Sequence, residues 1–191
     1  MSALDPAQIG FRPLRHEDLP LMHRWLNHGP ALKWYGLRPT TLDEIVAEYA
    51  PMITGEDPTR AFLVTYADRP IGYIQTYLIR DEPDYQAATG APDDAAGVDL
   101  FIGEPDFLYR GLGPALLRRF LAEIVFADDR VGQVIIGPHP ENASAIRAYA
   151  KVGFRYLRTV PVPGEAHPEY LMVLTRDEFA RMYQPHGEGQ G

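Results

Sequence analysis

At 191 residues the chain is one domain large enough to bury a real core; it holds no cysteine, which excludes disulfides, thiolate metal sites and a cysteine nucleophile, and its two serines, Ser2 and Ser144, sit in no G-x-S-x-G elbow. The net charge of −8 is local: eight acids and no Lys, Arg or His lie from Asp81 to Tyr109 (Asp81, Glu82, Asp84, Asp93, Asp94, Asp99, Glu104, Asp106), and the other 18 acids balance 18 Lys plus Arg. Such a patch repels nucleic acid and draws polycations, and with no apolar leader or spanning run the expected address is the cytoplasm, with no membrane partner.

In chain order, Ile9–Leu14 predicts a strand and Asp18–Leu26 a helix with Leu19, Leu21, Met22, Trp25 and Leu26 on its apolar side, ended by Asn27-His28-Gly29-Pro30. Ala31–Tyr35 carries Trp34 and Tyr35 onto a loop or short turn. Two adjacent large aromatics do not easily share one core, so one of them is a candidate lining for a ligand cleft; a plug at the base of the core competes with that reading. Thr41-Leu42-Asp43-Glu44 has capping-box spacing, which predicts a helix starting near Leu42 and stopping by Pro51. Ala61–Tyr66 and Ile71–Ile79 read as a hairpin across Ala67-Asp68-Arg69-Pro70. Asp81–Ala96, with Pro83, Gly90 and Pro92, reads as a loop.

Next comes the stretch that organises the rest. Val98–Ile102 predicts an apolar strand, Gly103–Asp106 a turn, and Arg110-Gly111-Leu112-Gly113-Pro114 the entry to a helix with Pro114 at its first position. Leu116, Leu117, Phe120, Leu121, Ile124 and Val125 recur at the spacing of one buried face. A strand feeding a glycine-flanked helix start offers main-chain N–H groups and a positive dipole end to phosphate. There is no G-K-[ST] of a Walker loop, and Leu116 stands where a dinucleotide fold wants its third glycine.

Val131–Ile136 predicts a short strand parallel to Val98–Ile102. Asn142 is a good N-cap for a helix to Lys151 with Gly153 as its stop. Phe154–Val160 and Glu169–Thr175 suit a closing antiparallel pair, and Asp177–Tyr183 a last helix. The expected domain is 1–184, followed by a polar, disordered tail, 185–191. The six histidines show no metal-ligand spacing.

Two residues stand out chemically. Asp99 lies mid-strand, where Asp is disfavoured, and shares a face with Phe101 and Gly103 by period-two alternation. A carboxylate there is costly unless paired, which suggests a use; a cap for the following turn is the competing reading. Tyr149 follows Asn142 by two helical turns, so both lie on one face. A packed core tyrosine competes with a functional phenol.

The pairing of Arg110-Gly111-Leu112-Gly113 with the run Asn142-Ala143-Ser144-Ala145-Ile146-Arg147-Ala148-Tyr149 and with Lys151-x-Gly153-Phe154 resembles the acetyl-coenzyme A signature of the GNAT superfamily of N-acetyltransferases. Arg24-Trp25-Leu26-Asn27, Trp34-Tyr35-Gly36, Pro70 to Gln75 and Gly97-Val98-Asp99 resemble its aminoglycoside 6'-N-acetyltransferase branch. The resemblance implies a single-domain α/β (α+β) fold: a mixed, largely antiparallel sheet, flanked by helices, with a splayed central parallel strand pair.

It also implies acetyl-coenzyme A as cofactor. Its pantetheine arm would lie along Leu100, Phe101 and Ile102, and its pyrophosphate on the main chain of Arg110, Gly111, Leu112, Gly113, Pro114 and Ala115. Asn142, Ala145, Tyr149 and Lys151 would complete that site from the second helix. By the same resemblance Asp99 is the general base, since only the free amine carries the lone pair that attacks. Tyr149 would return a proton to the departing thiolate, and a backbone N–H near Leu100 would polarise the thioester carbonyl. Trp34, Tyr35, Gln75, Asp99 and Glu104 would line the acceptor cleft.

Some positions depart from the pattern. Leu108 and Tyr109 stand where many GNAT members have Gln or Arg and then Gly, and Gly137 stands where aminoglycoside enzymes often carry an acid. The expected protein is thus a monomer or homodimer that acetylates a primary amine of a cationic small molecule, an aminoglycoside first, by direct attack in a ternary complex. A siderophore-type or other small-amine acyltransferase is one alternative, and a non-catalytic coenzyme A sensor another.

Overall fold

The computed structural model describes residues 4–28, 30–35, 39–164 and 166–183, with only the backbone of Tyr35. The tail expected at 185–191, together with Gly29 and Gly36, lies outside them. Among these residues, seven strands make one sheet: β1 (Ile9–Pro13), β2 (Arg60–Tyr66), β3 (Arg69–Leu78), β4 (Ala95–Ile102), β5 (Gln133–Ile136), β6 (Arg155–Val160) and β7 (Glu169–Thr175), in the order β1-β2-β3-β4-β5-β7-β6. Every neighbouring pair is antiparallel except β4 with β5. The mixed, largely antiparallel sheet with one central parallel pair is therefore present.

The helices are α1 (Leu19–His28), α2 (Leu32–Tyr35), α3 (Leu42–Thr54), α4 (Pro83–Thr89), α5 (Leu112–Phe120), α6 (Ala143–Val152) and α7 (Arg176–Tyr183). Strand alternation divides the apolar residues between two faces. On one face Val64, Ile74, Val98, Val134 and Met172 pack with Leu116, Leu117 and Phe120 of α5, Val152 of α6 and Phe179 of α7. The other face carries two separate clusters. Tyr73 and Phe101 meet Met22, Trp25, Ile45 and Tyr49 of α1 and α3, whereas Ala95, Ile135, Leu171 and Val173 meet Ile79 and Ala91 beside α4. Gln75 and Asp99, cross-strand partners, lie on the strip between these clusters.

Several boundaries differ from the sequence reading, each for a local reason. α3 begins with the expected box, in which the Thr41 hydroxyl accepts the Glu44 N–H and the Glu44 carboxylate accepts the Thr41 N–H. It does not stop at Pro51 but runs one turn further, closed by Gly55 at φ 82, whose N–H reaches the Pro51 carbonyl at 3.0 Å. A proline so near the end removes one hydrogen bond and interrupts little beyond it. The segment read as an acidic loop contains α4, with Pro83 in its first turn and Gly90 (φ 62) as its left-handed stop: both supposed loop residues are helix punctuation. β4 starts at Ala95, three residues early.

The β2–β3 turn is only Ala67-Asp68, at φ 45 and 64, the two-residue type whose twist suits a hairpin; Arg69 and Pro70 already belong to β3. α5 starts at Leu112, which makes Pro114 its third residue, and it continues through one π-turn at Leu121–Val125. α6 keeps its expected cap, with Asn142 Oδ1 accepting the Ala145 N–H at 3.1 Å, and its expected stop, Gly153 at φ 111.

Candidate active site

The parallel ladder is short. Ala95, Ala96 and Gly97 of β4 pair with Gln133, Val134 and Ile135 of β5, and there the pairing ends. β4 runs on to Ile102 beside β3, whereas β5 meets Gly137-Pro138-His139-Pro140, in which two residues have no N–H to offer a ladder. Asp99 lies two residues past the last rung on β4, as Gly137 does on the other strand. Asp99 thus stands at the mouth of the seam, on the strip left open between the two clusters of its face.

Its environment is built from β3. Gln75 donates from Nε2 to Asp99 Oδ2 at 3.0 Å, and the Gln75 carbonyl oxygen accepts the Tyr73 hydroxyl at 2.6 Å. The Tyr73 ring lies edge-on to Tyr49 at 5.4 Å and tilted against Phe101 at 5.6 Å. In this chain from phenol to amide to carboxylate, Gln75 offers its NH₂ to Asp99.

Three phenols surround that charge. Burial pushes the Tyr149 hydroxyl up, and the field of Asp99 adds to the effect. The same pair of causes, in the same order, raises Tyr77, with Tyr85, Glu169 and Glu82 contributing further. Burial, then Glu48, then Asp99 raise Tyr49. Each keeps its proton at neutral pH. Tyr149 is buried in the core of the opposite face, so Asp99 and Tyr149 act on one another through the sheet at the seam.

The main chain around α5 suits a diphosphate. Tyr109 (φ 57) and Gly111 (φ 80) turn left-handed just before Leu112, and the first turn of a helix has N–H groups with no partner inside it. A side chain at Gly111 would meet nothing within 4 Å, so the approach to that helix start is open. Leu112 and Ala115 pack into the core, a Cβ at Gly113 would lie 4.0 Å from the Ala148 methyl of α6, and Arg110 reaches back to the Asp106 carbonyl at 3.5 Å. Lys151 is exposed at the far end of α6. Leu100, Phe101 and Ile102 all lie on β4 beyond the last β5 rung, so the segment expected to hold an extended arm and the helix start expected to hold its phosphates are consecutive.

The acceptor side is brought together in part. Trp34 lies tilted against His139 at 5.5 Å, with Lys33 Nζ 4.4 Å from its ring centre, and His139 in turn contacts His167 at 4.7 Å. Trp34 therefore links the α2 region to the loop after β5, on the seam side. The Glu104 carboxylate accepts from Arg24 at 2.6 Å, the Trp25 indole at 2.9 Å and Arg69 at 3.0 Å. Burial raises this carboxyl, but the indole and the two guanidinium groups outweigh it and leave it below the usual range. Glu104 ties α1 and the start of β3 to the residues that follow β4.

Two neighbours escaped the sequence reading. Gly97 is needed because a Cβ there would fall on the ring of Tyr77, and a Cβ at Gly137 would fall on the carboxylate of Glu169. A small residue facing a large one across strands was the available signal, but it is readable only once the register is known.

The family described as acetyltransferase (GNAT) domain matches residues 15–162. The aminoglycoside N(6')-acetyltransferase type 1 of Klebsiella pneumoniae is 31% identical over 176 residues, 91% of this chain and 86% of that protein. A kanamycin resistance protein of Rhizobium radiobacter is 39% identical over 85 residues, 44% of this chain and 76% of that one. A solved structure of AAC(6')-Ib with ribostamycin and coenzyme A superposes with a TM-score of 0.78 at 29% identity, covering 92% of this chain and 98% of that one. Among the described residues no helix is long and apolar enough to cross a membrane.

Proposed function

Because the chain belongs to the GNAT acetyltransferase family, we propose that it transfers acetyl from acetyl-coenzyme A to a primary amine of a polycationic small molecule, the 6'-amine of an aminoglycoside. The observation that carries this reading is Asp99, held by Gln75 at the point where the parallel ladder stops. Names support the substrate class: relatives act on aminoglycosides, and a neighbouring structure holds ribostamycin beside coenzyme A. The reading includes a cytoplasmic address and a monomer or homodimer.

Acetyl-coenzyme A supplies the activated acetyl group as a thioester. Leu100, Phe101 and Ile102 hold the arm with their main chain. The helix start from Arg110 through Ala115, together with Asn142, Ala145 and Lys151 from the second helix, holds the polar remainder. Asp99 holds the incoming ammonium and takes its proton, which frees the lone pair for attack on the acetyl carbonyl. The main-chain N–H near Leu100 stabilises charge on that carbonyl oxygen. Tyr149, kept protonated by burial, gives its proton to the sulfur that leaves. Trp34, Tyr35 and Gln75 orient the acceptor.

The test is release of free thiol from acetyl-coenzyme A with kanamycin, spermidine and hydroxylysine side by side; kanamycin is expected to be the best acceptor. Asp99→Ala should lower kcat about 10²-fold or more with the KM for acetyl-coenzyme A unchanged. Tight coenzyme binding without thiol release for any amine would instead make the protein a sensor, and preference for hydroxylysine would make it a siderophore-type enzyme.

A further inference from the structure

Position 137 carries no side chain, yet the space above it is filled by a carboxylate. Glu169 opens β7, which lies antiparallel to β5. By alternation it faces the same way as Leu171 and Val173, toward the cluster on Asp99's side of the sheet. Its Oε2 stands where a Cβ of residue 137 would be and accepts the Tyr85 hydroxyl of α4 at 2.8 Å. The neighbouring Tyr170 N–H fixes the start of β7 to the Pro138 carbonyl at 3.0 Å. Asp99 and Gly137 each follow the last rung of the parallel ladder by two residues, so the two acids stand on the same face of the sheet at the end of that ladder. The fields of both acids fall on Tyr77, whose ring lies over Gly97.

We propose that Glu169 is the second carboxylate of the acceptor cleft: it holds a second ammonium of the acceptor while Asp99 takes the reacting one, and so selects molecules with two or more amines. This rests on the acceptor reading above. The geometry gives each acid a separate task. Asp99 is held by the Gln75 amide beside the seam and works on the amine that loses a proton; Glu169, on β7, is held by a phenol of α4 and makes a charge-assisted hydrogen bond to an amine that keeps its proton. The small residue at 137 is what allows a long acidic side chain from β7 to reach this point.

The experiment compares wild type, Glu169→Gln, Tyr85→Phe and the double variant Glu169→Ala with Gly137→Asp, by steady-state kinetics and by calorimetric titration with kanamycin. Glutamine keeps an acceptor for Tyr85 and removes only the charge. It should raise the KM for kanamycin about tenfold or more, the scale of one lost charged hydrogen bond, with kcat and the KM for acetyl-coenzyme A within about twofold. Tyr85→Phe, which keeps the charge, should change the kanamycin KM less than about threefold. The double variant, which returns a carboxylate from β5, should recover most of the affinity.

An unchanged KM in Glu169→Gln overturns the proposal, as does equal damage from Tyr85→Phe, which would mark Glu169 as a support for α4. If wild type neither binds nor acetylates kanamycin, the acceptor reading falls and takes this proposal with it. If wild type acetylates kanamycin and Glu169→Gln does so identically, only the proposal falls.

Discussion

Gln75 shows how much of this site depends on hydrogen bonds that carry no charge of their own. Its amide receives from Tyr73 and gives to Asp99, so Gln75→Leu removes a donor from a partly buried carboxylate and an acceptor from the Tyr73 hydroxyl. We expect kcat to fall about tenfold or more, the scale of a lost hydrogen bond to a charged group, measured as thiol release. Glu104 works the other way, as structure. Its carboxyl lies below the ordinary value, so its contribution to stability is fully present above that ordinary value and fades as pH falls through the lower folded one. Glu104→Gln should therefore cost about 1–2 kcal/mol at pH 7, and its gap from wild type in urea unfolding should narrow as pH falls below the ordinary carboxylate range. Asp99 was legible as an oddity because a lone acid in an apolar strand is visible in the sequence. The partners of Glu104 were not legible because they lie 80, 79 and 35 residues away in the chain. Glu169 was missed for the same reason: its meaning depends on a glycine in a different strand.

Among the elements, punctuation was harder to read than periodicity. The apolar face of α5, the Thr41 box and the Asn142 cap are short-range patterns, and each forms as spaced. Proline and glycine carry two meanings, and Pro51, Pro83 and Gly90 each took the one not chosen. Pro51 also offers a test. In α3 it deprives the Ala47 carbonyl of its helical donor, so Pro51→Ala restores one hydrogen bond and relieves a steric conflict of about 3 kcal/mol in a helix interior. A proline also stiffens the unfolded chain, by about 0.4–1 kcal/mol. The net expectation is about 1–2 kcal/mol of added stability, read as a higher midpoint in chemical denaturation, with kinetics unchanged.

For the molecule as a whole, charge distribution decides more than net charge. The excess of acid is confined to residues 81–109, which supply α4, β4 and the loop before α5, so the field is strongest around the acceptor side of the sheet. Raising ionic strength from about 20 to about 300 mM, which shortens the screening length to well under 10 Å, should lower kcat/KM for kanamycin several-fold and change that for a monoamine little. Sheet order, unlike charge, was never in the periodicities, because pairing of strands distant in sequence leaves no local mark. That order has a mechanical corollary. β3 and β4 share seven rungs, but the halves of the sheet, β1 to β4 and β5 to β7, are stitched by only three. The coenzyme that lodges there would act as a clasp, so amide protons of Gln133–Ile136 should exchange with deuterium sooner than those of β2 and β3 in the free protein, and slow markedly once coenzyme A is added.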